Sequence, residues 1–183
     1  MKELSLNILD IAENSVKAEA TLTEIYIKED ISTLTLEIRD NGYGMSEETV
    51  RTVTDPFYTT RTTRSVGLGI PLLKLACEQT GGNLTITSKQ KTNFSCDHGT
   101  SIVALFHKNH LDFTPLGDVI STIVTLIQGH PDTDFLFIHT TESTEVRLDT
   151  RELREVLIDV PLSSYEVLSW IREYLNEQYN ITN

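Results

Sequence analysis

The chain has 183 residues, a formal net charge of −12 and 39% hydrophobic residues, enough to enclose a core of its own. The charge is uneven: residues 1–110 carry 11 Lys and Arg against 14 Asp and Glu, whereas residues 111–183 carry 4 against 13 and no lysine. An acidic surface repels phosphate backbones, so no nucleic acid is expected as a ligand, and a basic partner protein is the easier one to accommodate. With no charged-plus-apolar leader and no apolar run long enough to span a bilayer, no membrane segment is expected and the location is read as cytoplasmic. The two cysteines, Cys77 and Cys96, fit no metal spacing, and Cys77 falls in an apolar helical pattern that reads as core.

Residues 4–18 predict a helix with Leu4, Ile8, Ile11, Ala12 and Ser15 on one side and Leu9 and Val16 on a flank. At 100° per residue, Asn7, Asp10, Asn14 and Lys17 share one polar stripe, with Glu13 at its edge. Ile25-Tyr26-Ile27 and Leu34-Thr35-Leu36-Glu37-Ile38 alternate on either side of a polar stretch and predict a hairpin whose second strand ends at Asp40. Ser46-Glu47-Glu48 caps a short helix that Asp55-Pro56 stops, and the polar residues 58–66 read as a loop.

Leu68, Leu72, Leu75 and Ala76, with Pro71 in the first turn and Gly81-Gly82 at the end, predict the next helix. Strands are expected near Leu84 to Ser88 and Thr100 to Phe106. Beyond residue 110 the pattern restarts: a helix from Leu116 to Gln128, a hairpin from Phe135-Leu136-Phe137-Ile138 and Thr144 to Leu148, a helix from Thr150 to Ile158, and a last helix capped by Ser163. The fold class that follows is α+β, a two-layer α/β sandwich with helices on one face of a sheet. The charge shift divides it into residues 1–110 and a small acidic α/β module, 111–183, which leans on the first part or on a partner for stability.

Three segments carry the chemistry. On the first helix, Asp10 and Asn14 project side by side, so the carboxylate can hold a water while the amide oxygen serves a hard cation such as Mg²⁺. In Asp40-Asn41-Gly42-Tyr43-Gly44-Met45, two glycines let the backbone approach a flat ring, and Asp40 can accept from an exocyclic amine; such a carboxylate favours adenine over guanine. Gly67-Leu68-Gly69 opens a helix, a generic anion site, and Thr59, Thr60, Arg61, Thr63 and Arg64 just before it supply hydroxyls and guanidiniums. His107, His110, His130 and His139 read as surface or turn residues and form no ligand cluster.

In order and spacing, Asp10-x-x-x-Asn14, Asp40-x-Gly42-x-Gly44, Asp55-Pro56-Phe57, Gly67-Leu68-Gly69 and Gly99-Thr100 resemble the Bergerat-fold ATPases, the GHKL superfamily. That superfamily includes sensor histidine kinases, anti-sigma-factor serine kinases, DNA gyrase B subunits, mismatch-repair ATPases and heat-shock chaperones. The resemblance covers residues 4–108 and implies ATP and Mg²⁺ as cofactors, with Asn14 as metal ligand and Asp40 on the adenine amine. It further implies that Gly42, Gly44 and Met45 border the base, Thr100 sits near it through water, Gly67, Leu68 and Gly69 contact phosphates, Lys17 points at them, and Thr59, Thr60 and Arg61 belong to a lid.

The run Asp55 to Thr60 looks most like sensor histidine kinases. Two positions depart from the pattern: Asp10 stands where hydrolytic relatives carry glutamate, so Asp10 or Glu13 is the base, and Ser65 stands where kinases have a glycine. Only a few residues precede the first helix, so no phosphoacceptor hairpin is expected within the chain. Two functions stay open: phosphoryl transfer from ATP to water or to a partner protein, or ATP-gated protein binding without turnover.

Overall fold

The computed structural model describes residues 3–54, 68–92 and 97–180. Its elements are α1 (Leu4–Lys17), β1 (Leu22–Glu29), β2 (Thr33–Asp40), α2 (Glu47–Thr52), α3 (Gly69–Gln79), β3 (Asn83–Lys89), β4 (Gly99–His107), α4 (Val119–Gly129), β5 (Asp134–Thr140), β6 (Glu145–Asp149), α5 (Thr150–Leu157) and α6 (Tyr165–Asn180).

The strands alternate as their sequences demand. Ile25 and Ile27 of β1, Leu34, Leu36 and Ile38 of β2, and Ile102, Ala104 and Phe106 of β4 are buried, and the registers Ile25↔Ile38, Leu36↔Ala104 and Leu34↔Phe106 put them on one face. A slip of one residue would turn every one of these side chains outward, so the apolar face fixes the register. Helices α3, α1, α4 and α6 contact one another in that order. The buried residues of α1, α3, α4 and α6 join those of the strands in one core, which makes the fold the expected α+β two-layer sandwich.

The sheet has six strands in the order β3-β4-β2-β1-β5-β6. β5 pairs parallel to β1, placing Phe137 opposite Ile25 and Phe135 opposite Thr23, while β6 closes the edge antiparallel to β5. The expected hairpin beyond residue 110 is therefore present, and it extends the sheet built by the residues before it. Two boundaries move for local reasons. α4 starts at Val119 because Asp118 caps it, accepting from Ser121 N–H at 2.8 Å, and α6 starts at Tyr165, one residue later than a Ser163 cap implies, its first backbone bond running from Leu168 N–H to Ser164 O while Ser164 Oγ caps nothing among the described residues.

His139 is not a surface residue. It is 5% exposed, on the helix-covered face of β5 opposite Ile27. Its Nε2 donates to Glu29 Oε1 at 3.1 Å, its Nδ1 shares a hydrogen bond of 2.7 Å with Tyr179 Oη, and Lys108 Nζ lies 2.7 Å from Glu29 Oε2. The cluster joins β1, β5, α6 and the segment after β4. The imidazole hydrogen bond, helped by Lys108, lowers the Glu29 carboxyl from 4.5 to about 2. A lowered carboxylate stabilises the fold above its unfolded pKa, and that stabilisation is lost as pH falls through the folded one. Glu29 is therefore expected to contribute about 1–3 kcal/mol that disappears between pH 4.5 and about 2. Denaturant titrations across that window should show a flatter acid limb for Glu29→Gln than for the wild-type chain; parallel limbs would refute the assignment.

Candidate functional site

The last two turns of α1 face the end of β2 where it leaves the sheet. Ser15, on the buried side of α1, donates from Oγ to Asp40 Oδ2 at 3.0 Å, while Asp40 Oδ1 accepts from Gly42 N–H at 2.9 Å and from Thr100 N–H at 3.3 Å. Asp40 is thus fixed in orientation by three elements. Asn41 is structural: its Oδ1 accepts from Thr21 and Leu22 N–H at 2.9 and 3.0 Å, which staples the turn to the start of β1.

The glycines allow close approaches. A Cβ on Gly42 would lie 2.6 Å from Ala18 O, so Gly42 packs against the end of α1 and lies outside the cavity lining. Gly44 has φ +67°, and a Cβ there would run into the Lys89 carbonyl. The following loop is tied down by Met45 N–H to Ser88 Oγ at 2.7 Å, and Ser88 Oγ lies 2.9 Å from Thr100 Oγ1. His98 Nδ1 donates to Gly42 O at 2.6 Å.

These residues border a cavity of about 440 Å³. Asn14, Lys17, Asp40, Gly44, Met45 and Thr100 line it, six of the residues singled out from sequence. Ile11, Ile38, Ile70 and Ile102 give it an apolar wall, and Ser15, Ala18, Ser46, Thr49, Val53 and Gln90 complete the lining. Sequence reading missed Ser15 because it sits on the apolar side of α1; its position directly after Asn14 was the available signal.

The N-terminus of α3 meets α1 at the same place. A Cβ on Gly69 would lie 3.1 Å from Asp10 Cβ and 3.8 Å from Asn14 Nδ2, so the first turn of α3 packs directly against those two side chains. Leu68 stands at the cap position, exposed and off the cavity lining. Thr59, Thr60, Arg61 and Gly67 lie outside the described residues.

The two carboxylates weighed as base differ in surroundings. Asp10 is exposed toward the α3 terminus, and partial desolvation raises its pKa, Lys17 opposing that rise. Glu13 turns toward the end of α4, where His130 Nε2 donates to its Oε1 at 2.7 Å and lowers its pKa; Lys17 Nζ lies 3.7 Å from the other oxygen. His130 is thus a partner of α1 rather than a free turn residue. Asn7 also departs from expectation: although in the stripe of Asp10 and Asn14, it is 1% exposed, and neither side-chain polar atom has a partner among the described residues.

A sheet with helices on one face and a cavity between the first helix and the strand end define a Bergerat-type nucleotide-binding domain. Residues 2–110 match the family described as histidine kinase-, DNA gyrase B-, and HSP90-like ATPase, and the chain belongs to that family. Over 87 residues it is 30% identical to the C4-dicarboxylate transport sensor protein DctB of Pseudomonas aeruginosa, a match covering 46% of this chain and 14% of DctB. Among solved structures it is similar to the Aquifex aeolicus MutL ATPase domain complexed with ADP, with TM-score 0.55, 16% identity, and coverage of 86% of this chain and 70% of that one. It also resembles the N-terminal domain of a DNA repair protein, with TM-score 0.55, 15% identity, and coverage of 81% of this chain and 53% of that one. At such identities these two structures speak for the fold alone. Among the described residues no helix is long and apolar enough to cross a membrane.

Proposed function

We propose that this domain binds ATP with Mg²⁺ in the cavity between α1 and β2 and transfers the γ-phosphoryl group, to water or to a side chain of a partner protein. The observation that carries the reading is convergence: the apolar wall with Asp40 and Thr100 suits an adenine ring, and Asn14, Lys17 and the α3 N-terminus, all at the α1 side, suit the phosphates. Asp40 would accept from the adenine amine, Gly44 and Met45 would border the base, and Lys17 would neutralise phosphate charge.

The residues fit Mg²⁺. Asn14 presents an exposed amide at the cavity, and no cluster of three or more His, Cys, Asp or Glu among the described residues forms an all-protein cage. That suits an ion bound through one hard oxygen together with waters and substrate phosphates. When bound it supplies charge neutralisation on the phosphate oxygens.

Asp10 is the better base. Its carboxylate is exposed beside the α3 N-terminus and Asn14, whereas Glu13 is held by His130 at 2.7 Å and by Lys17 at 3.7 Å, contacts that lower its pKa. With γ-labelled ATP and Mg²⁺, Asp10→Asn is expected to cut phosphate release by about 10²-fold or more, and Glu13→Gln to change it only a few-fold. The opposite order would transfer the role to Glu13.

A second reading, an ATP-gated protein-binding module, draws on the Glu13–His130 contact, which links the cavity-lining helix to the residues after 110. Tight ATP binding with no turnover in any background would favour it. In either reading the acidic residues 111–183 dock a protein partner or respond to nucleotide state, and their charge favours the first.

A further inference from the structure

We propose that the outward face of α6 is a docking surface for a basic amphipathic helix of a partner protein; this deepens the reading that residues 111–183 meet such a partner. Val167, Leu168, Ile171 and Leu175 turn α6 toward the core. At 100° per residue Glu166, Trp170, Glu173 and Glu177 form a stripe away from the core and Tyr174 lies on its flank next to the bearing of Val167; all five are exposed. Trp170 and Tyr174 are 48% and 37% exposed, and their rings stack 4.9 Å apart at 12°. Two large aromatic side chains held against each other in solvent form a preformed flat surface that costs little further ordering on binding.

The charge around that surface is uncompensated. Glu166, Glu173 and Glu177 have no ion pair among the described residues. The arginines of residues 111–183 are engaged elsewhere: Arg147 with Asp149 and Glu152, Arg151 with Asp149, Arg154 with Asp134, and Arg172 with Ser121 Oγ. The Arg147 guanidinium is held by Glu152 at 2.7 and 2.8 Å.

An aromatic pair between free carboxylates selects guanidinium or ammonium groups, which stack on indole and phenol faces and pair with the glutamates. The stripe runs over twelve residues, from Glu166 to Glu177, about 16 Å of helix, so cations spaced by helical turns on a facing helix match it. Charge also chooses among occupants. A second copy of this chain would bring like carboxylates face to face, and nucleic acid or an anionic bilayer would be repelled.

Trp170 is the only tryptophan of the chain, so its emission reads this face alone. The probe is a labelled synthetic amphipathic helix of about five turns, arginines on one face and leucines on the other, titrated into the full chain alongside a control with glutamates replacing the arginines. Saturable binding, a shifted Trp170 emission, and weakening with salt are expected. Label anisotropy should show about tenfold or greater loss of affinity in Trp170→Ala/Tyr174→Ala and in Glu166→Gln/Glu173→Gln/Glu177→Gln, with ATP affinity unchanged in both. Undiminished binding in both variants, equal binding of the acidic control, or self-association that Trp170→Ala abolishes would overturn the proposal. Peptide binding by a wild-type chain that takes no ATP would overturn the nucleotide reading and leave the docking face supported.

Discussion

Asp40→Asn is expected to lower ATP affinity by about 10²-fold while leaving the fold intact. The folded state tolerates the exchange because an asparagine Oδ1 can keep the bonds from Gly42 and Thr100 N–H, and its Nδ2 can donate to Ser15 Oγ in place of the bond that Oδ2 now accepts. The ligand would not tolerate it: Nδ2 would meet the adenine amine donor to donor, leaving unpaired groups in a cavity walled by isoleucines, at a cost of about 2–4 kcal/mol. Ser15→Ala, which removes one bond that orients Asp40 and leaves the Asp40 carboxylate in place, is expected to cost about 1 kcal/mol. Calorimetry with ATP and GTP, beside thermal melts, separates these effects. The wild-type chain should prefer ATP, because guanine presents a carbonyl to the Asp40 carboxylate. An asparagine variant that melts and binds ATP like the wild type would sink the adenine-recognition role.

What the sequence made legible is local in character. Alternation in Leu34 to Ile38 predicts both the strand and the face it buries, and the strand's end at Asp40 follows from the turn residues beyond it. The helical stripe brings Asn14 and Lys17 to one cavity. The same stripe misplaces Asn7, because α3 and α4 pack along α1 and only its C-terminal half faces the cavity. Periodicity assigns a bearing around the helix axis but says nothing of what covers each turn.

What stayed hidden depends on contacts distant in sequence. Glu29–His139 and Glu13–His130 join residues 110 and 117 positions apart, and each histidine looks unremarkable in its own segment. The change in charge near residue 110 is a fact about surface composition. The sheet crosses it, because β1 presents an edge that β5 fills with Phe135 and Phe137, and no local pattern encodes which strand becomes a parallel neighbour.

That pairing puts Phe137→Ala among the most destabilising substitutions expected outside the cavity. Phe137 is fully buried, lies opposite Ile25 of β1 and Leu148 of β6, and belongs to the core that contains Ile8, Ile11 and Ile123. Its truncation removes an aromatic ring from a packed interior whose neighbours on β1 and β6 are fixed by their ladders, so the space cannot simply collapse, and about 3–5 kcal/mol is expected. For a domain of ordinary stability, about 5–15 kcal/mol in total, that is a large share. Ile138, the next residue, points to the other face of the sheet and is only half-buried, so Ile138→Ala should cost about 1 kcal/mol. Denaturant midpoints at constant slope give the comparison directly. ATP affinity should fall with stability in the Phe137 variant alone, because the same core seats α1, and α1 carries Asn14 and Lys17. Equal costs for the two substitutions would mean that the helix-facing side of β5 is not packed into the core that seats α1.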